Sequence, residues 1–309
     1  MQISEMSALH NAGLKRSGVS CALERYSEAR AITKEAGVAC RSKNGRVLRF
    51  MTPATSHLEI ESHSCACTCE EHKREAHSIQ RSLLPTRDLT AGSIEIAFRY
   101  APFAEVGGDF ADFFVLPDGP IDLYLGDVVG KGLPAALYAA LVMGTIRGIH
   151  KRDQDTALVL ARLNERLLMR PVPGRFCATL YARFDPAIRQ LTFSNAGLPL
   201  PLLLSKTGCR ALGQGGFPSG MFPEASYDLH TVQLLADDIV LFATDGLHEL
   251  CNREGVEFST ERLTEIWSQC GGRSAAQAVQ LLFDAVGAFS RTGPQDDVTA
   301  VVLKVAGNL

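Results

Sequence analysis

Gly126-Asp127-Val128-Val129-Gly130-Lys131-Gly132 is the stretch from which the fold can be read. It closes an apolar run, Ile121 to Leu125, and opens onto a helix-forming run that starts at Leu133. A carboxylate therefore stands at the end of a strand, on backbone that glycine allows to bend sharply. The glycines imitate a nucleotide-binding loop, but the spacing fails. Three residues rather than four separate Gly126 from Gly130-Lys131, and Gly132 replaces the Ser or Thr that would hold magnesium. The loop presents an acid at the mouth of a sheet and does not wrap a phosphate chain.

Working outward, Ile94–Tyr100 and Phe110–Leu116 read as strands before this one, with Pro117-Asp118-Gly119-Pro120 as a turn. After it come two helical runs, from Leu133 to about His150 and from Thr156 to Met169. Strands are expected at Phe176–Phe184, Gln190–Ser194, Pro199–Leu204, Tyr227–Leu234 and Asp238–Ala243, with a glycine- and proline-rich loop over 208–226. Helices at about Thr260–Gln269 and Ser274–Phe289 precede a last strand, Val298–Lys304. Strands come in groups and helices in pairs, so a doubly wound parallel sheet is disfavoured. The pattern predicts an α+β fold, two largely antiparallel sheets flanked by helices.

The 309 residues carry 46% hydrophobic and 21% charged side chains with a net charge of -3, which suits a globular core and gives no field for nucleic acid or anionic membrane. No apolar run approaches the length of a membrane span, and the first thirty residues lack a signal core, so a cytoplasmic protein is expected. Residues 1–65 show weak periodicity and, between Lys15 and Arg49, an excess of basic side chains; a poorly ordered extension is expected there. Cys65, Cys67 and Cys69 with His63 and His72 have the residue types of a metal site, but alternate spacing does not match zinc pairs, and reduced thiols are the plainer reading. From Glu70 to Leu84 a leading helix carries one apolar stripe, Ala76, Ile79 and Leu83, and Pro85 ends it. That stripe needs a partner surface, either the following domain or the same helix of a second copy in a homodimer.

Four acidic sites lie beside glycine or another acid at the ends of apolar strands: Asp109, Asp127, Asp245 and the pair Asp296-Asp297. A carboxylate in such a place is costly unless solvated, paired or metal-bound. One alone is most often a turn former; four together point to a shared cation site. All-oxygen ligation by aspartates suits Mg2+ or Mn2+ rather than zinc. Gly107-Gly108-Asp109-Phe110 lacks the second acid of a diguanylate cyclase turn, and no Gly-x-Ser-x-Gly elbow is present.

These pieces, in this order, resemble the metal-dependent (PPM-type) serine/threonine phosphatases, in their bacterial SpoIIE/RsbU-like branch. The resemblance runs from about Arg74 to Val305. It rests on Ile79-Gln80-Arg81-Ser82-Leu83-Leu84-Pro85, Tyr100-Ala101-Pro102 with Val106-Gly107-Gly108-Asp109-Phe110 and Asp112, Gly126 to Leu137, Ala178-Thr179-Leu180, Asn195-Ala196-Gly197, Thr244-Asp245-Gly246-Leu247 and Gln295-Asp296-Asp297-Val298-Thr299. It implies an α-β-β-α sandwich over 91–309, with 66–90 as linker and leading helix. It implies two metal ions, Mn2+ or Mg2+. Asp127 would bridge both, the Val128 carbonyl would bind one, Asp245 and Asp296 would complete the other, and Asp109 would contact the second metal directly or through water. Asp297 and Gly108 would support these ligands from behind. With Asp127 and Asp109 as the catalytic acids, a metal-activated water would attack phosphoserine or phosphothreonine in line, without a covalent enzyme intermediate. The implied partner is a phosphorylated STAS-type anti-sigma-factor antagonist. A catalytically silent partner-binding module of the same fold is the competing reading, and loss of metal ligands would mark it; all four acidic sites are present. The chain departs from the branch at Ala111 and Leu198. It also has Phe103-Ala104-Glu105 where eukaryotic relatives place a phosphate-holding arginine, which would leave the phosphate mainly on the metals.

Overall fold

The structure, a computed structural model, describes residues 63–307 except Asp118, 151–154 and 291–294, and the side chains of 63–69 are not described. The basic N-terminal extension (residues 1–62) and the side chains of Cys65, Cys67 and Cys69 therefore lie outside the described residues. Helix α1 (His63–Leu83) leads into strands β1 (Leu89–Ala91), β2 (Ile94–Ala101), β3 (Phe110–Val115) and β4 (Ile121–Val128). Helices α2 (Leu133–Ile149) and α3 (Thr156–Met169) follow. Next come β5 (Cys177–Asp185), β6 (Gln190–Ala196), β7 (Leu202–Ser205), β8 (Gly208–Ala211), β9 (His230–Gln233) and β10 (Ile239–Ala243). A 3-10 turn (Asp245–Leu247), α4 (Thr260–Ser268), α5 (Ala275–Ser290) and β11 (Val298–Val305) complete the chain.

Two sheets form, ordered β1-β2-β11-β10-β7-β8 and β3-β4-β5-β6-β9, and their strand pairs are antiparallel. The period-2 alternation of strand side chains divides the core into layers. In β4, Ile121, Leu123 and Leu125 join Leu180, Phe184, Phe242 and Val301 between the sheets. The alternate residues Tyr124 and Val128 pack with Val142, Ile146, Leu160 and Leu163 of α2 and α3. On the far face, Leu241 and Val302 pack against Trp267, Val279 and Leu282 of α4 and α5. The result is the α-β-β-α sandwich expected from the sequence. Both β4 and β11 are buried along their whole length, polar residues such as Asp122 and Lys304 included.

Three local expectations change. The loop foreseen over 208–226 begins with strand β8, which pairs with β7 through a tight turn; its pattern of exposed residues at a sheet edge carried no apolar signal. The strand foreseen at Tyr227–Leu234 shortens to β9, because Tyr227 is drawn into the α2–α3 core, its hydroxyl 3.4 Å from that of Ser219. In α1 the foreseen apolar stripe docks only in part: Leu83 packs against the core beneath α2 and α3, and Ala76 is half-buried. Ile79 is 58% exposed, whereas Gln80, and Leu84 just past the helix end, are buried. Counting apolar residues missed a further anchor, a polar amide satisfied at both ends: Gln80 Nε2 donates to the Gly107 carbonyl (2.7 Å), and the Gly107 N–H donates to Gln80 Oε1 (3.1 Å).

Candidate functional site

Asp127 lies two residues beyond Leu125 on β4, so strand parity turns it to the inter-sheet face just where the strand runs out. It is 4% exposed. Immediately after it, Val128 N–H donates to the Gly108 carbonyl at 3.3 Å, which draws the β2–β3 loop against the end of β4. Gly108 is needed for this approach. A Cβ there would stand 2.8 Å from the Val128 carbonyl oxygen and 3.3 Å from Asp127 Oδ1, so carbonyl and carboxylate converge on a spot that only glycine leaves open.

Asp109 follows and is 1% exposed. Its Oδ2 accepts a hydrogen bond from Thr244 Oγ1 at 2.8 Å, a link from the start of β3 in one sheet to the end of β10 in the other. Burial, then the neighbouring charges of Asp127 and Asp297, push the Asp109 carboxyl well above the usual range, and the nearby hydroxyls of Thr299 and Thr244 partly offset this. Asp127 and Asp297 thus act on Asp109 as like charges at close range.

Asp297 supports this arrangement. Its Oδ1 accepts from Phe103 N–H (2.8 Å), and its Oδ2 accepts from the N–H groups of Gly108 (2.6 Å) and Asp109 (3.4 Å). Burial raises this carboxyl too, opposed by those amides. One side chain at the start of β11 thus holds the whole 103–109 loop. Gly107 makes room for it, since a Cβ there would fall 2.0 Å from Asp297 Oδ2.

Asp245 opens the 3-10 turn after β10, and Asp296 precedes β11, so both sit at neighbouring strand ends of the other sheet. Gly246 packs directly on the Asp297 carbonyl, where a Cβ would stand at 1.9 Å. Asp296 Oδ2 lies 3.3 Å from Lys131 Nζ. The same ammonium donates to the Gln295 carbonyl and sits 4.5 Å over the Phe103 ring. The structure thus brings Asp109, Asp127, the Val128 carbonyl, Gly108 and Asp297 together and sets Asp245 and Asp296 on the facing rim. Among the described residues, no three His, Cys, Asp or Glu side chains close around a single point. The donor set of carboxylates and a carbonyl, with the gap kept open at Gly108, fits a hard divalent cation. Sequence reasoning missed Thr244 and Gln80. Each stands within a quoted motif, but only the fold shows what its side chain reaches.

Residues 117–306 match the family described as Stage II sporulation protein E (SpoIIE). The chain belongs to the SpoIIE family. This SpoIIE-family chain is 23% identical over 231 residues to phosphoserine phosphatase RsbU of Bacillus subtilis (strain 168), covering 74% of its own length and 68% of RsbU. Among solved structures its fold resembles the SiaA-PP2C domain of Pseudomonas aeruginosa, with a TM-score of 0.69 at 20% identity over 78% of this chain and 98% of that one. It also resembles RsbX in complex with magnesium, with a TM-score of 0.55 at 16% identity over 71% of this chain and 99% of that one. By family and fold the SpoIIE-family chain is a PPM-type protein phosphatase, as its motifs implied. Among the described residues no helix is long and apolar enough to cross a membrane.

Proposed function

We propose that this chain hydrolyses phosphoserine or phosphothreonine on a regulatory protein, a STAS-type anti-sigma-factor antagonist, with the help of two divalent cations, Mn2+ or Mg2+. The observation that carries the reading is the convergence of the Asp127 carboxylate and the Val128 carbonyl on the gap at Gly108, with Asp109 buried beside them. Asp127 would serve both ions, the Val128 carbonyl one of them, and Asp245 and Asp296 from the facing sheet would complete the set with Asp109. When bound, such a pair of ions lowers the pKa of a shared water towards neutrality and offsets charge on the phosphoryl oxygens.

The protein's own part is positioning. Asp297 and Gln80 both hold the 103–109 loop, the first through its carboxylate and the second through its amide. Thr244 orients Asp109 through its hydroxyl. Burial of both acids keeps bulk water from screening their charge, so their interaction with a cation is stronger than at an open surface. The relatives support the substrate class and the metal in turn: RsbU is a phosphoserine phosphatase, and RsbX was solved with magnesium.

The test is release of inorganic phosphate from a phosphorylated STAS protein with and without added Mn2+. Activity is expected to depend on the metal. Asp127→Asn is expected to reduce it by more than the roughly 10–100-fold typical of losing an outer-shell partner, with an unchanged circular dichroism spectrum. Full activity of that variant at matched purity would overturn the mechanism.

A further inference from the structure

The acidic site faces a difficulty of charge. Its substrate is a phosphate dianion, and the five aspartates at 109, 127, 245, 296 and 297 repel it. Lys131 is already engaged by Asp296 and the Gln295 carbonyl. A second cation lies against the same loop. Arg175 sits in the turn between α3 and β5, where its N–H donates to the Val172 carbonyl at 3.0 Å. The backbone after it is zipped to the Asp127 loop: Val129 N–H donates to the Phe176 carbonyl at 3.1 Å, and Cys177 pairs with Val128. Its guanidinium folds over the loop, and Nη1 donates to the Val129 carbonyl.

Gly130 makes this possible. Its φ is +99°, and a Cβ would stand 2.1 Å from Arg175 Nη1. Val129 is two residues from Asp127, at most ~7 Å along the chain. The side chain is partly exposed, and among the described residues it makes no hydrogen bond or ion pair to a carboxylate. One of its five N–H groups is used on a carbonyl. The rest of the planar fork keeps its donors, and that shape suits two oxygens of a phosphate.

We propose that Arg175 binds the substrate's phosphoryl group at the edge of the acidic site, supplying the cation that Phe103-Ala104-Glu105 does not. This rests on the phosphatase reading above. It assigns Gly130 a separate job, giving the guanidinium room to lie on the loop.

The test compares wild type, Arg175→Ala and Arg175→Lys in two measurements. The first is KM and kcat with a phosphorylated STAS protein, together with the inhibition constant of inorganic phosphate. The second is calorimetric binding of inorganic phosphate to the Mn2+-loaded protein, which needs no turnover. Arg175→Ala is expected to raise KM and weaken phosphate binding together by about tenfold or more, with Arg175→Lys intermediate because it keeps charge but loses the fork. A residue that only pins the loop would instead shift the melting temperature or Mn2+ affinity and leave phosphate binding intact; that result would overturn the proposal. If wild type binds phosphate through Arg175 yet releases none from any phosphoprotein, the proposed activity fails and the anion site stands. If wild type turns over and Arg175→Ala binds phosphate as tightly as wild type, the activity stands and the anion site fails.

Discussion

At the scale of single residues, buried carboxylates in this protein have two different fates. Asp122 on β4 is fully buried on the helix-facing side. Arg183 meets it through Nε (2.6 Å) and Nη2 (2.8 Å), and the Tyr181 hydroxyl donates at 2.5 Å. Its charge is matched within the protein. Asp109 instead has Asp127 and Asp297 as close like charges, and Thr244 donates to it through a neutral hydroxyl. The first arrangement is structural and the second has the character of a binding site. Asp122→Ala should therefore destabilise the fold by about 3–5 kcal/mol, because it strands a largely buried guanidinium. Urea unfolding would show a lowered midpoint at an unchanged slope, and the variant that still folds should keep its metal-dependent activity.

At the scale of elements, α1 is coupled to the site by polar contacts more than by apolar packing. Gln80 and Asp297 grip the 103–109 loop from two elements far apart in sequence. Arg147 of α2 adds a further tie, donating to the Leu83 carbonyl at the end of α1 (2.8 Å) and to Asp112 (2.6 Å). Any movement of α1 would thus be felt at Gly107 and Gly108. Gln80→Leu keeps the size of the side chain but removes both hydrogen bonds. It should weaken apparent Mn2+ affinity by roughly 10–100-fold, as outer-shell partners do. A Mn2+ titration of activity would show the midpoint moving while the plateau is approached at high metal. An unmoved midpoint would mean that the loop is held by Asp297 alone. Ile79 stays outward, so it is the residue a second copy of the helix would have to cover.

At the scale of the molecule, the proposed ligands are shared between the sheets. Asp109, Asp127 and Val128 stand at strand ends of the five-stranded sheet, and Asp245 and Asp296 at those of the six-stranded one. Bound cations would tie the two layers of the sandwich together at the end where Thr244 and Asp109 already join them. Metal that binds only the folded state stabilises it by about 2.7 kcal/mol at a hundred times its Kd. Calorimetric melting of wild type should shift upward with Mn2+ at concentrations that saturate activity, and Asp127→Asn should show no such shift. Equal shifts in both would place the stabilising ions elsewhere.

Local chemistry made much of this legible in advance. Glycine beside aspartate at the end of an apolar run marks bendable backbone carrying an acid, and grouped strands with paired helices mark two antiparallel layers; both can be read within a window of a few residues. The order of the motifs carried the family and the α-β-β-α fold. Contacts between residues distant in the chain could not be read that way. Asp297 looked like a neighbour of a ligand and is the clamp of a loop nearly two hundred residues earlier. The stripe Ala76, Ile79 and Leu83 looked like the docking face of α1, but Ile79 faces outward and a buried glutamine joins Leu83 in docking it. Arg175 carried no pattern at all, and only the pairing of β4 with β5 lays it over Gly130. The sequence determined which chemical groups the protein has and the periodicities that sort them onto strands and helices. The tertiary structure decided which carboxylates are neutralised and which remain crowded, because that depends on the charges and donors that distant segments bring within a few ångströms.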